Sequence, residues 1–185
     1  MDLRIERCSI FNNRKLIISN GIYFFTTTDM NYQKRIHEYF YNNMDKDMGI
    51  YINNYKVNTK YLSEKMYFIN TKENGFFLRN KKLKNVIDTD SEIVKLLDIP
   101  DNVFEQKLKQ LWHWSYLCSC AIGIEEGKQI LIFPWISATE CSIQSYRLNK
   151  LFEYSTKNDL IVIIPTESIE TLKNNTIEGM KYSII

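Results

Sequence analysis

The sequence predicts an α/β fold with a mostly parallel sheet, on three observations. Residues 129–133 (QILIF) and 160–164 (LIVII) are continuous apolar runs of strand length, the pattern of strands buried on both faces. Between them Ile143, Tyr146, Arg147, Leu148, Leu151, Phe152 and Tyr154 recur at helical spacing, so the three segments read as one βαβ unit. Such units take the right-handed crossover almost without exception. Near the N-terminus the turn signal Asn20-Gly21 separates the run 15–19 from a second apolar run, 22–25.

The elements follow in order. A short alternating piece at 3–5 and the run 15–19 predict a small N-terminal β part. The run 22–25 predicts a strand. Tyr32, Ile36, Tyr39 and Phe40 predict a helix after it, with Asp29 as N-cap. Residues 44–90 are polar and rich in Asn and Lys, with short strands expected at 49–52 and 65–69. Residues 91–97 predict a helix with Ile93, Val94, Leu96 and Leu97 on its apolar side, ended by Pro100. Residues 104–111 and 116–124 are helical in pattern, and Gly127 follows as a stop. After 160–164, a helix at 168–173 and a strand at 181–185 are expected to close the sheet. No repeat, low-complexity tract or linker divides the chain, so residues 1–185 are expected to form one domain.

Composition narrows the function classes. The chain has 24 basic and 22 acidic residues, a net charge of +2, which excludes a polyanion binder by bulk charge. No apolar stretch approaches the roughly 20 residues of a spanning helix, and residues 1–13 hold no apolar signal core. A cytoplasmic protein without a membrane span is therefore expected. Cys8, Cys118, Cys120 and Cys141 form no C-x-x-C pair, and His37 and His113 are the only histidines. No metal site and no cofactor are expected, and the cysteines read as small buried residues. His113 has no nucleophile beside it in sequence, and Glu125-Glu126 and Thr139-Glu140 read as solvated. The densest basic cluster, Arg79, Lys81, Lys82 and Lys84, reads as a solvated loop or as a contact to phosphate backbone or acidic lipid. Aromatics reach 14% while glycines number 6, which leaves few places where backbone can approach a phosphate.

The order of elements resembles the ATP-binding cassette (ABC) ATPase domain over most of the chain. Residues 21–25 (GIYFF) resemble the strand that opens into the Walker A loop, and 111–124 the signature loop with its helix. Residues 127–133 (GKQILIF) resemble the Walker B strand, 137–141 the D-loop, and 157–167 the last core strand leading to the switch histidine. The resemblance implies a P-loop NTPase-like sheet flanked by helices, with a small antiparallel β part and a reduced helical insertion. At the catalytic positions the residues differ. The Walker A-like loop carries Thr27, Asp29, Gln33 and Lys34 without a glycine; Gln33 stands at the lysine's place and Lys34 one residue late. Pro134 and Trp135 stand where the Mg²⁺-linked Asp and the catalytic Glu are expected. Trp112-His113-Trp114 replaces the signature Ser-Gly-Gly, and Glu167 takes the switch-histidine place. Phosphoryl transfer is mostly positioning and charge stabilisation, so losing cradle, metal ligand and base together implies a chain that does not hydrolyse ATP.

The resemblance also implies partners. ABC ATPases work as dimers, and some transporters keep one inactive half. The expected role is an interaction subunit beside an active ABC ATPase or a membrane permease, or a self-oligomer. Trp112, Trp114, Trp135 and Glu167 are then interface candidates, although the three tryptophans also read as core residues. A second resemblance is to the CRISPR type II-A adaptation accessory protein, carried by residues 16–20 with Tyr32, the helix near 92–97, and 130–185. That family is a ring-shaped tetramer that encircles double-stranded DNA ends and binds calcium. It implies DNA as partner, with Arg79, Lys81, Lys82 and Lys84 as contacts. A regulator that kept the fold alone is a third reading.

Overall fold

The two continuous apolar runs are neighbouring strands of one parallel sheet. The computed structural model describes residues 1–8, 10, 14–42, 49–71, 75 and 79–167, with backbone alone for 7, 8 and 42. The helix expected at 168–173 and the strand expected at 181–185 lie outside the described residues. Strands β3 (Gly21–Thr26), β6 (Met66–Phe68), β7 (Ile130–Ile132) and β8 (Ile161–Thr166) form the parallel sheet in the order β3-β8-β7-β6. Gly21 and Ile130 both lie opposite Ile161, and Met66 lies opposite Ile130. The predicted βαβ unit is therefore present, with β7 and β8 adjacent. A second sheet is antiparallel, ordered β2-β1-β4-β5, from β1 (Asp2–Cys8), β2 (Arg14–Ser19), β4 (Ile50–Ile52) and β5 (Tyr55–Val57). The β4–β5 hairpin turns on Asn53 and Asn54, both at positive φ (48° and 67°), which asparagine tolerates. Among the described residues no helix is long and apolar enough to cross a membrane.

Side chains alternate across a strand, and both faces of the parallel sheet are buried. One face, with Ile22, Phe24, Leu131, Val162 and Ile164, packs against α3 (Glu92–Leu96), α5 (Ser115–Glu125) and α7 (Ser145–Lys157). The other, with Tyr23, Phe25, Ile132, Ile161 and Ile163, packs against Ile36 and Phe40 of α1 (Tyr32–Asn42) and the inner face of the antiparallel sheet. Asn20-Gly21 passes the chain from one sheet to the other; Gly21, at φ +139°, starts the parallel strand. The short α2 (Thr59–Lys65), capped by Asn58, precedes β6.

Two predicted helices differ. Residues 104–111 are not one helix. After α4 (Asp101–Phe104), Leu83 N–H donates to the Gln106 carbonyl (2.9 Å) and Leu108 N–H to the Lys81 carbonyl (3.1 Å). Those bonds form an antiparallel bridge between Lys82 and Lys107 and leave one 3₁₀ turn, Leu108–Gln110. The helix expected across 143–154 is two: α6 (Ala138–Ile143), begun by the Ser137 cap, and α7, meeting at Gln144. The earlier start shifts the helical phase. Ile143 and Tyr146, expected on the apolar side, are 71% and 61% exposed, while Leu148 and Leu151 are buried. Cys118, Cys120 and Cys141 are buried, as their reading as small core residues expects. Burial pushes the thiols of Cys118 and Cys141 up to about 12 and raises that of Cys120.

Candidate functional site

Open parallel sheets bind ligands beyond the C-terminal ends of their strands. Here the exits of β3, β8, β7 and β6 are tied together at that edge. Thr27 N–H donates to the Thr166 carbonyl (2.8 Å), Ile136 N–H to Pro165 (3.0 Å) and Ile69 N–H to Ile132 (2.9 Å).

The loop from β3 into α1 is closed by its own oxygens. Asp29 N–H donates to Thr27 Oγ1 (3.1 Å), Asn31 N–H to Asp29 Oδ1 (2.9 Å) and Tyr32 N–H to the Asp29 carbonyl (3.0 Å). Arg35 N–H reaches the Asn31 carbonyl, so Asn31 takes the N-cap place predicted for Asp29, and Asp29 builds the turn before it. The Asp29 carboxylate is paired with Arg35 at 2.7 Å. A phosphate-binding loop turns successive N–H groups toward its ligand. Here those of Thr27, Asp29, Asn31 and Tyr32 donate within the chain.

Gln33 is buried, and its side-chain amide donates to the carbonyls of Ile69 (2.9 Å) and Ile132 (2.7 Å). One side chain thus bolts α1 to the exits of β6 and β7. Lys34 is exposed and pairs with Glu38 at 3.6 Å. Trp135, half-buried, donates its indole N–H to the Thr27 carbonyl at 2.9 Å. Glu167 accepts the Ala138 N–H at 3.3 Å, at the start of α6. Thr27, Asp29, Gln33 and Trp135 are thus brought together at the sheet edge, with Glu167 at the exit of the adjacent β8.

The other predicted residues lie elsewhere. Trp114 is half-buried against the core, with the Arg147 guanidinium 4.4 Å from its ring centroid. Trp112 is 83% exposed at φ +41°, which removes it from the core reading. His113 and Glu140 line a cavity of about 10 Å³ with Phe133, Ile136 and Cys141. Burial raises the Glu140 carboxyl, and His113 partly opposes that. Lys82 and Lys84 both pair with Glu105, at 2.6 and 2.5 Å. Their hydrogen bonds hold the Glu105 carboxyl down at about 2. Lys81 is exposed and Arg79 half-buried.

Sequence reasoning missed Asn70, which is buried at φ +57° past β6. Its N–H donates to Ser119 Oγ (3.0 Å) and its side-chain amide to Ser115 Oγ (2.9 Å). An asparagine closing an apolar strand is a local signal; its two serine partners, over forty residues on, are not. Lys107 and Glu105 were missed for the same reason, because only the bridge brings them to Lys82.

A parallel sheet flanked by helices, with an antiparallel sheet packed on one face, makes this a P-loop NTPase-like α/β fold. Within that class the chain has the fold of ABC ATPase cassettes. A nucleotide-free ATP-binding cassette from an ABC transporter superposes with a TM-score of 0.65 at 8% identity, over 100% of this chain and 88% of that one. CbiO1 from Clostridium perfringens, part of the ABC transporter complex cbiONQ, gives 0.61 at 11% identity, over 94% of this chain and 81% of that one. A bacterial ABC transporter cassette solved as a dimer gives 0.59 at 14% identity, over 98% and 94%. No protein-family model matches the chain, and no curated protein matches it.

Proposed function

We propose that residues 1–185 form one ABC cassette-like domain that does not hydrolyse ATP. It acts instead as a binding subunit beside an active cassette ATPase or a permease. The observation that carries this reading is Gln33. At the place of the Walker lysine, its amide is spent on the carbonyls of Ile69 and Ile132. The surrounding loop N–H groups and the Trp135 indole are spent the same way. A donor already bonded inside a protein offers little to a phosphate, since binding would leave its old acceptor unpaired. The similar structures support the partner half of the reading, one being part of a transporter complex and another a dimer.

Calorimetric titration with Mg·ATP, alongside phosphate release, tests the first half. The expected result is neither measurable binding nor turnover; tight binding with turnover overturns it. Co-purification from the native cell tests the second half, with a cassette ATPase or permease as the expected companion. The DNA-end reading is not carried forward, because the similar structures are transporter cassettes.

A further inference from the structure

Two segments far apart in sequence meet at Lys82 and Lys107. The bonds Leu83 N–H to Gln106 and Leu108 N–H to Lys81 flank the pair on both sides. That makes it a non-hydrogen-bonded antiparallel pair, the closer kind, with Cα atoms about 4.5 Å apart and side chains on one face. Like charges placed so repel. Lys84 joins them through Glu105, and Lys81 and Lys109 flank the bridge. Five exposed lysines thus stand on the two bridged segments, with Glu105 between them in sequence and paired with Lys82 and Lys84. The chain as a whole carries only +2.

Apolar surface lies beside this charge. The 3₁₀ turn Leu108–Gln110 leads through Leu111 to Trp112, which is 83% exposed and held at φ +41°, a region bulky residues avoid. The Trp112–Trp114 turn rests on the α6–α7 junction, where Arg147 covers Trp114 and where Ile143 and Tyr146 are exposed.

We propose that the face formed by Lys81, Lys82, Lys84, Lys107 and Lys109 binds an acidic lipid surface, with Trp112 entering the headgroup region. Two features favour lipid. Lysines act as point charges suited to a diffuse anionic field, whereas bidentate phosphate recognition favours arginine. A tryptophan gains by entering a membrane interface, while the outside of a duplex gives it no apolar partner. The inference goes beyond the partner role proposed above and does not depend on it.

Vesicle flotation at low salt provides the test, comparing phosphatidylcholine alone with phosphatidylcholine mixed with phosphatidylglycerol. The protein is expected to float with the mixed vesicles only and to be released at high salt. Each juxtamembrane lysine contributes about fivefold, so the K81Q/K82Q/K107Q/K109Q variant should lose about 600-fold in partitioning. Trp112→Asn should lose about tenfold, because binding scales with buried apolar area. Glu105→Gln adds one net positive charge and should tighten binding about fivefold, a gain that no folding defect would mimic. Equal binding to both vesicles, or none to the mixed ones, overturns the proposal. So does displacement by linear duplex DNA with Trp112→Asn unaffected, which would assign the face to nucleic acid instead.

Discussion

At the C-terminal edge of the parallel sheet, polar groups point inward and are used. Gln33 holds two strand exits, Trp135 holds the β3–α1 loop, and Asp29 closes that loop while pairing with Arg35. In the segment 79–114 the arrangement is reversed. Lysines stand side by side across a bridge and a tryptophan faces solvent from a positive φ. The two regions thus direct their side chains in opposite directions. The edge uses its polar groups within the fold, whereas the exposed lysines and Trp112 of the 79–114 segment carry charge and apolar surface outward. Changes at the edge should therefore cost stability, whereas changes to the exposed lysines and Trp112 should cost binding and leave the fold intact.

Alkaline pH should act on the edge most strongly. Cys141 lines the small cavity with Phe133 and Ile136, next to β7's exit, and Cys118 is buried in the same core cluster. Their thiols ionise near 9.0 when unfolded and only at about 12 when folded. Their stabilisation is whole below pH 9 and is lost as pH rises toward 12. Each thiol should cost about 1.4 kcal/mol per pH unit in that window. Urea denaturation of the reduced protein from pH 8 to 11 measures this; a flat profile would contradict the burial of both thiols. Next in size, Gln33→Ala should cost about 2–4 kcal/mol, from a lost side chain and an unpaired Ile69 carbonyl. A cost below about 1 kcal/mol would mean the bolt is decorative. Trp135→Phe keeps one aromatic ring but removes the indole's second ring and its hydrogen bond, so about 1–2 kcal/mol is expected in the same assay. Smallest and opposite in sign, Trp112→Asn should leave stability unchanged or raise it by up to about 1 kcal/mol, because asparagine tolerates positive φ. A large loss there would erase the contrast between the two regions.

The parallel sheet was legible because both apolar runs exceed what any half-buried element needs, and the helix between them is amphipathic. The antiparallel part was legible in three of its four strands, β1 at 3–5 and β4 at 49–52 among them. The run 15–19 was visible as β2, but β5 was missed, although Asn53-Asn54 marks its hairpin. The helix expected at 104–111 fails because Gln106 and Leu108 direct backbone groups to residues 81–83, and no local pattern announces a partner that far away. At the edge, the resemblance sets Gln33 where a lysine is expected, but its two carbonyl acceptors lie at distant strand ends.

By itself, then, the sequence determined the fold class and which residue types stand at each loop. Hydrophobic periodicity is local, and it specifies buried faces without reference to anything remote. Only the tertiary structure decided what those residues do. Whether Gln33 is a bolt or a solvated amide, and whether Lys82 stands alone or beside Lys107, depends on contacts between segments that only folding brings together. Hydrogen bonds and charge pairs act over a few ångströms in space, and the chain distances spanned by those of Glu105, Gln33 and Trp135, from 21 to 108 residues, leave no mark on local sequence.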